Sequence, residues 1–141
     1  MQISEITVLR TAQYHETDSM KVVHHANYVK WMEEARLSFF KKVGFDWAKM
    51  ERETGIMIPV LFQSVEYKNR ILFDDTVLVV CKCEKFNAVK MNFSYEFYNE
   101  DKSMLYASGI TKHGFIDKNF EPIRLDEEFN EGFCALATAI Q

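Results

Sequence analysis

Tyr14-His15-Glu16-Thr17-Asp18-Ser19-Met20-Lys21-Val22-Val23-His24-His25-Ala26-Asn27-Tyr28-Val29-Lys30-Trp31-Met32-Glu33-Glu34-Ala35-Arg36 is where this chain changes period. Its first half is a polar turn centred on Asp18, and a helix takes over near Asn27. Tyr28, Trp31, Met32, Ala35, Phe39 and Val43 recur three or four apart and share one helical face, while Lys30, Glu34 and Lys41 lie opposite. Gly44 closes the helix as a C-terminal glycine does. A carboxylate therefore precedes the N-terminus of a helix heavy enough to be a core element. Helix N-termini offer unpaired amides and partial positive charge, which suit an anion or a developing oxyanion.

On the N-terminal side, Ile3–Thr11 is rich in β-branched residues and reads as a first strand. On the C-terminal side, Asp46 is placed to cap a short helix, Asp46–Thr54, that Gly55 ends. Four strands follow, at Ile56–Tyr67, Thr76–Phe86, Val89–Phe97 and Leu105–Ile116. The third of these alternates almost strictly, with Val89, Met91, Phe93, Tyr95 and Phe97 on one side and Lys90, Asn92, Ser94 and Glu96 on the other. In the second, Val77, Val79, Cys81 and Cys83 share a face. Short connections such as Asn87-Ala88 imply antiparallel neighbours, so the last four strands read as a meander. The tail, Asp117–Gln141, starts acidic and reads as a short helix over Asn130–Ala139.

These elements make an α+β domain in which a long helix is wrapped by a curved antiparallel sheet. The 141 residues form one domain, 1–141, with a core over about 3–117 and a tail over 118–141. Apolar residues make up 48% of the chain and phenylalanine alone contributes 12, enough to fill a substantial core. A net charge of −4 argues against a nucleic-acid surface. Nothing in these residues resembles a targeting segment, so none is expected, and the longest apolar run, Ile56–Phe62, is too short to cross a bilayer. Three cysteines without a secretion signal are expected to be reduced thiols in a cytoplasmic protein.

The order of elements and the Asp18 stretch together resemble the hot-dog fold, and more narrowly the 4-hydroxybenzoyl-CoA thioesterase-like acyl-CoA thioesterases. In that family Thr-Asp-x-x-Gly-x-Val-x-His-x-x-Tyr leads into the central helix, which continues with Glu-x-x-Arg. This chain has Thr17-Asp18-Ser19-Met20-Lys21-Val22-Val23-His24-His25-Ala26-Asn27-Tyr28, then Glu33-Glu34-Ala35-Arg36. Phe73-Asp74-Asp75 resembles the family's Phe-x-Asp turn. Lys21 departs from the pattern, standing where the family has glycine, and Met20 replaces a second frequent glycine.

The resemblance implies hydrolysis of an acyl-CoA thioester, with Asp18 as general base or nucleophile and the helix-start amides near His25 as oxyanion donors. It also implies a substrate-facing or orienting role for the His25 side chain. Tyr28 and Trp31 are the leading acyl-pocket candidates, followed by Tyr14, Asn27 and Phe62. Lys68, Arg70 and Lys90 are candidates for the phosphates of coenzyme A, since basic side chains suit them. His24 is expected to be a packing or interface residue, Glu33 and Arg36 to form an ion pair, and Cys81 and Cys83 to be packing residues. The chemistry needs no metal or redox cofactor. The implied assembly is a homodimer with sites at the subunit interface, commonly paired into a tetramer, with no nucleic-acid partner and no membrane insertion. Two other readings stand beside it. One is an acyl-carrier-protein thioesterase or a dehydratase on the same fold, and the other is a non-catalytic acyl-CoA sensor.

Overall fold

The computed structural model describes residues 5–125. Its elements are β1 (Glu5–Thr11), a single 3-10 turn (Tyr14–Glu16), α1 (His25–Val43), α2 (Trp47–Thr54), β2 (Val60–Tyr67), β3 (Thr76–Phe86), β4 (Met91–Tyr98) and β5 (Leu105–His113). The expected tail helix over Asn130–Ala139 lies outside the described residues, as does Cys134. The strand expected from Ile56 begins only at Val60, and Met57 instead makes an isolated bridge to Ile116.

The local signals act as their chemistry demands. His24, expected to pack or meet a partner, instead caps α1 by accepting the Ala26 amide, and Gly44 and Gly55 close the two helices at φ 81° and 76°, in the left-handed region where a Cβ is costly. Asp46 caps α2 by accepting the Lys49 amide at 2.9 Å. On α1 the stripe of Tyr28, Trp31, Met32, Ala35 and Phe39 is fully buried. It packs on the inward residues of β3 and β4, where Phe93 meets Phe39 and Phe40 edge-on with ring centroids 5.5 and 5.8 Å apart. Each such ring contributes roughly 1.5–3 kcal/mol by leaving water. Gly109 of β5 lets the helix settle this close, because a Cβ there would lie 2.5 Å from Met32 Sδ and 3.1 Å from the Ser64 carbonyl.

One expectation needs correction. The last four strands are not a meander, because the sheet order is β1-β3-β4-β5-β2, antiparallel throughout. Only β3, β4 and β5 follow one another, while β2 pairs with β5 at one edge and β1 pairs with β3 at the other. The link from β2 to β3 therefore passes two strands, a distance of about 14 Å at the usual strand spacing, which a segment of this length spans readily. The eight residues 68–75 are no tight turn and do not oblige β2 and β3 to be neighbours.

A polar chain runs through the core. Arg36 Nη1 donates to the Tyr95 hydroxyl at 3.0 Å, that hydroxyl lies 2.7 Å from Thr111 Oγ1, and Thr111 Oγ1 lies 2.9 Å from His113 Nε2. The expected Glu33–Arg36 ion pair is not formed, since the guanidinium is drawn inward by Tyr95 while Glu33 stays exposed. Cys81 and Cys83 are buried packing residues whose thiols are pushed up to about 12, chiefly by burial.

His113 is 1% exposed, and its pKa is pushed down to about 4 by burial and then by the Arg36 charge. The Pro59 carbonyl is near enough to favour the charged ring slightly, yet Nδ1 completes no hydrogen bond among the described residues. Below the ordinary histidine value of 6.5 the unfolded chain takes up a proton that the folded chain refuses until about 4. Stability from this group is thus complete above pH 6.5 and is lost as pH falls toward 4, by about 3 kcal/mol in all. Urea denaturation at stepped pH is expected to show that slope in the wild type and a flatter one in His113→Gln.

Candidate active site

The Asp18 turn is built by backbone bonds on both sides. Thr17 bridges Val23, the Asp18 amide donates to the Val22 carbonyl at 2.9 Å, and the Lys21 amide donates to the Asp18 carbonyl at 2.9 Å. These bonds leave Ser19, Met20 and Lys21 as a three-residue hairpin loop, whose third position conventionally takes a left-handed glycine. Lys21 occupies that position at φ 63°. The chain thus keeps the loop that the glycine pattern describes and meets its geometry with a lysine. Asp18 Oδ1 accepts the Met20 amide at 2.8 Å, which holds the half-buried carboxylate over its own turn. The far side of the turn is tied to the next loop, where the Val23 amide donates to the Ile71 carbonyl at 2.8 Å.

Behind the turn, buried Glu16 accepts from Arg10 Nη2 at 2.6 Å, Trp31 Nε1 at 2.7 Å and the Gln13 amide at 2.8 Å. Burial alone would raise its pKa. The hydrogen bonds from Arg10, Gln13 and Trp31, together with the Arg10 charge, hold it below the usual glutamate value instead.

The start of α1 is partly self-satisfied. The His24 amide donates to the Glu16 carbonyl, His24 Nδ1 accepts the Ala26 amide at 3.1 Å, and the Asn27 amide donates to the His24 carbonyl. The His25 amide is left with no partner among the described residues, at the electropositive end of a 19-residue helix. The His25 ring stacks on His24 with centroids 4.0 Å apart, and no hydrogen bond joins it to Asp18.

These pieces meet at a cleft of about 320 Å³ into which Asp18, His25, Tyr28, Lys68 and Arg70 all face. Tyr28 forms its floor, with its hydroxyl pushed up to about 12 by burial and then by the neighbouring Tyr67 and Tyr106. Tyr67 stands edge-on to Tyr28 at 5.0 Å and opens onto an adjoining groove of about 550 Å³ between α1 and β2. A separate cleft of about 290 Å³ lies between α1 and α2, lined by Glu33, Arg36, Trp47, Met50 and Ile58 among others.

The remaining sequence candidates lie elsewhere. Trp31 is buried behind the turn on Glu16, and Asn27 Nδ2 donates to the Glu16 carbonyl at 2.8 Å, so neither lines the cleft. Tyr14 is exposed against Phe73, and Phe62 sits on β2 beneath the Lys112 ammonium. Lys90 belongs to the β3–β4 turn, whereas the Asp18 cleft lies near the opposite end of β3, about 35 Å away by strand length. Three participants were missed in the sequence. Tyr67 and Asn69 enter the cleft only because β2 pairs with β5, and Glu16 passes for a loop charge until the fold buries it.

A model of the thioesterase-like superfamily matches residues 12–133. The chain belongs to that superfamily. The DHNA-CoA thioesterase from Staphylococcus aureus superposes with a TM-score of 0.87 at 36% identity, covering 94% of this chain and 89% of that one. The acyl-CoA thioesterase YbgC of Helicobacter pylori is 32% identical over 135 residues, 87% of this chain and 96% of its own length. YneP of Bacillus subtilis is 33% identical over 128 residues, 90% of this chain and 91% of its own. A 4-hydroxybenzoyl-CoA thioesterase mutant solved with 4-hydroxybenzoyl-CoA has a TM-score of 0.80 at 15% identity and shares the hot-dog fold.

Lys21 marks where this superfamily member departs from the glycine pattern, and its strain is measurable. A non-glycine residue in the left-handed region costs about 1–2 kcal/mol, offset in part by the greater freedom glycine has when unfolded. Lys21→Gly is therefore expected to raise the stability measured by chemical denaturation by about 0.5–1 kcal/mol.

Proposed function

We propose that this protein is an acyl-CoA thioesterase, hydrolysing the thioester to a free carboxylic acid and coenzyme A. One observation carries the reading: the Asp18 carboxylate and the unpaired His25 amide belong to residues that line the same cleft. A thioester carbonyl seated there would place its carbon toward Asp18 and its oxygen toward the amide.

In the reaction as proposed, water attacks the carbonyl carbon while Asp18 takes its proton. The oxygen of the tetrahedral intermediate carries the negative charge and accepts from the His25 N–H, aided by the helix end. Collapse of the intermediate breaks the carbon–sulfur bond and expels the thiolate, which recovers the proton. Direct attack by the Asp18 oxygen, followed by hydrolysis of the mixed anhydride, uses the same two groups. No metal or redox cofactor enters either route. Lys68 and Arg70, exposed at the rim of the cleft, suit the phosphates of the coenzyme.

The cleft on one chain is shallow, and β2 supplies the reason to place its complement on a second copy. β2 is a sheet edge carrying Val60, Leu61, Phe62 and Tyr67 in exposed positions, a surface that invites another strand. Antiparallel pairing of two β2 strands about a twofold axis sets the Val60 end of one beside the Tyr67 end of the other. That brings the apolar α1–α2 cleft of one subunit next to the Asp18 cleft of its partner, where it would receive the acyl group. A tetramer of two such dimers is the assembly the family resemblance implies.

Thiol release from a panel of short, long-chain and aromatic acyl-CoAs is the test. The wild type is expected to turn over at least one class, and Asp18→Asn to lose at least about 10² in rate with its fold intact. Acyl-CoA binding without thiol release by the wild type would make the chain a sensor instead. In sedimentation the protein is expected at about twice the 16.6 kDa chain mass or a higher even multiple. Filling the α1–α2 cleft with Met50→Trp is expected to narrow the acyl groups accepted.

A further inference from the structure

Glu16 touches neither the cleft nor the reacting atoms, yet it is 3% exposed and only two residues ahead of Asp18. Its carboxylate is held from three directions, by Arg10 of β1, Trp31 of α1 and the Gln13 amide. Its main-chain carbonyl receives two more donors, the His24 amide at 2.8 Å and Asn27 Nδ2 at 2.8 Å. The same residue is thus bonded through its side chain to the sheet and to the second turn of α1, and through its backbone to the α1 cap. Arg10 extends the cluster outward to Glu34 at 2.7 Å, and its guanidinium carbon lies 5.1 Å from the Trp31 ring centroid.

The two groups assigned to catalysis leave Glu16 along different routes. Asp18 follows it in the chain, and the His25 amide follows His24, which hangs from the Glu16 carbonyl. No hydrogen bond joins Asp18 and His25 directly, so their separation is set through this residue and through the Thr17–Val23 bridge. We propose that Glu16 is a positioning residue for thioester hydrolysis, fixing the Asp18 carboxylate relative to the His25 amide by bonding β1, the Asp18 turn and the start of α1 to one another. This inference rests on the thioesterase reading above. Water attack and oxyanion capture must coincide in one transition state, and a displacement of about 1 Å between the two groups can cost on the order of 10² in rate. Substrate binding at the rim does not depend on that register.

Three variants separate positioning from plain stability. Glu16→Gln keeps the side-chain size but loses the ion pair with Arg10. Asn27→Ala removes only one bond to the Glu16 carbonyl. Glu34→Gln breaks the exposed half of the Arg10 pairing and leaves the turn untouched. Measured well below each melting temperature, Glu16→Gln is expected to lower kcat by about 10–100-fold with KM within about 3-fold. Asn27→Ala is expected to lower kcat by at least about 5-fold, and Glu34→Gln to stay within about 2-fold.

Amide hydrogen exchange supplies a second readout. It is expected to quicken over residues 17–27 in Glu16→Gln and to remain slow in the buried part of α1. Unchanged kcat in both Glu16→Gln and Asn27→Ala would overturn the inference, as would an equal fall in Glu34→Gln. If Glu16→Gln does not fold, Asn27→Ala decides. If the wild type releases no thiol from any acyl-CoA, the thioesterase reading fails and exchange alone judges the anchor. Unaltered protection over 17–27 would then overturn the anchor too.

Discussion

The packing of the α1 aromatic stripe against the inner face of the sheet is the constraint from which the other features follow. Trp31, Met32, Ala35 and Phe39 cannot all leave water against a flat surface, so the strands curl around the helix. Gly109 removes the side chain that would hold α1 away, and Met32 fills the space. Once the sheet is curled, β2 can lie beside β5 while its connection still reaches β3. Tyr67 and the segment behind it are then delivered to the start of α1. The cleft is a product of curvature, since none of its walls is adjacent in sequence to all the others.

Polar groups inside this packing divide into two clusters with different consequences. The Arg36–Tyr95–Thr111–His113 chain satisfies hydroxyls that would otherwise be orphaned, but it holds the His113 ring neutral in a place with no room for its charge. The Arg10–Glu16–Trp31 cluster keeps a carboxylate ionised by surrounding it with donors. A buried ion pair of this kind adds little net stability, because desolvation offsets most of the attraction. Its geometric effect is larger. Charge-assisted bonds at 2.6–2.7 Å leave Glu16 few alternative positions, and the turn carrying Asp18 inherits that restriction.

The proposed site would pair an acceptor of protons with a donor to oxygen, using few specialised parts. Asp18 is held by its own loop amide, and the His25 N–H is available because the first turn of any helix leaves amides unpaired. His24 caps one such amide and leaves its neighbour. Lys21 shows that the loop geometry, and not glycine as such, is what the turn requires.

The sequence by itself determined the two helices, the Gly44, Asp46 and Gly55 caps, the Asp18 turn, the one-sided burial of β3 and β4, and the resemblance to hot-dog thioesterases. Those features depend on residues close together in the chain, where periodicity and turn chemistry act directly. It was also enough to bring Asp18, His25, Tyr28, Lys68 and Arg70 forward as candidates, and the fold gathers all five at one cleft. Tertiary structure alone decided that β2 pairs with β5, that Arg36 turns to Tyr95 in place of Glu33, and that Lys90 lies far from the cleft while Tyr67 lies in it. It also decided that Glu16 is buried and bonded to Arg10 and Trp31, and is not a surface charge. Each of these depends on which distant segments meet when the sheet closes around α1, and local spacing carries no record of that curvature.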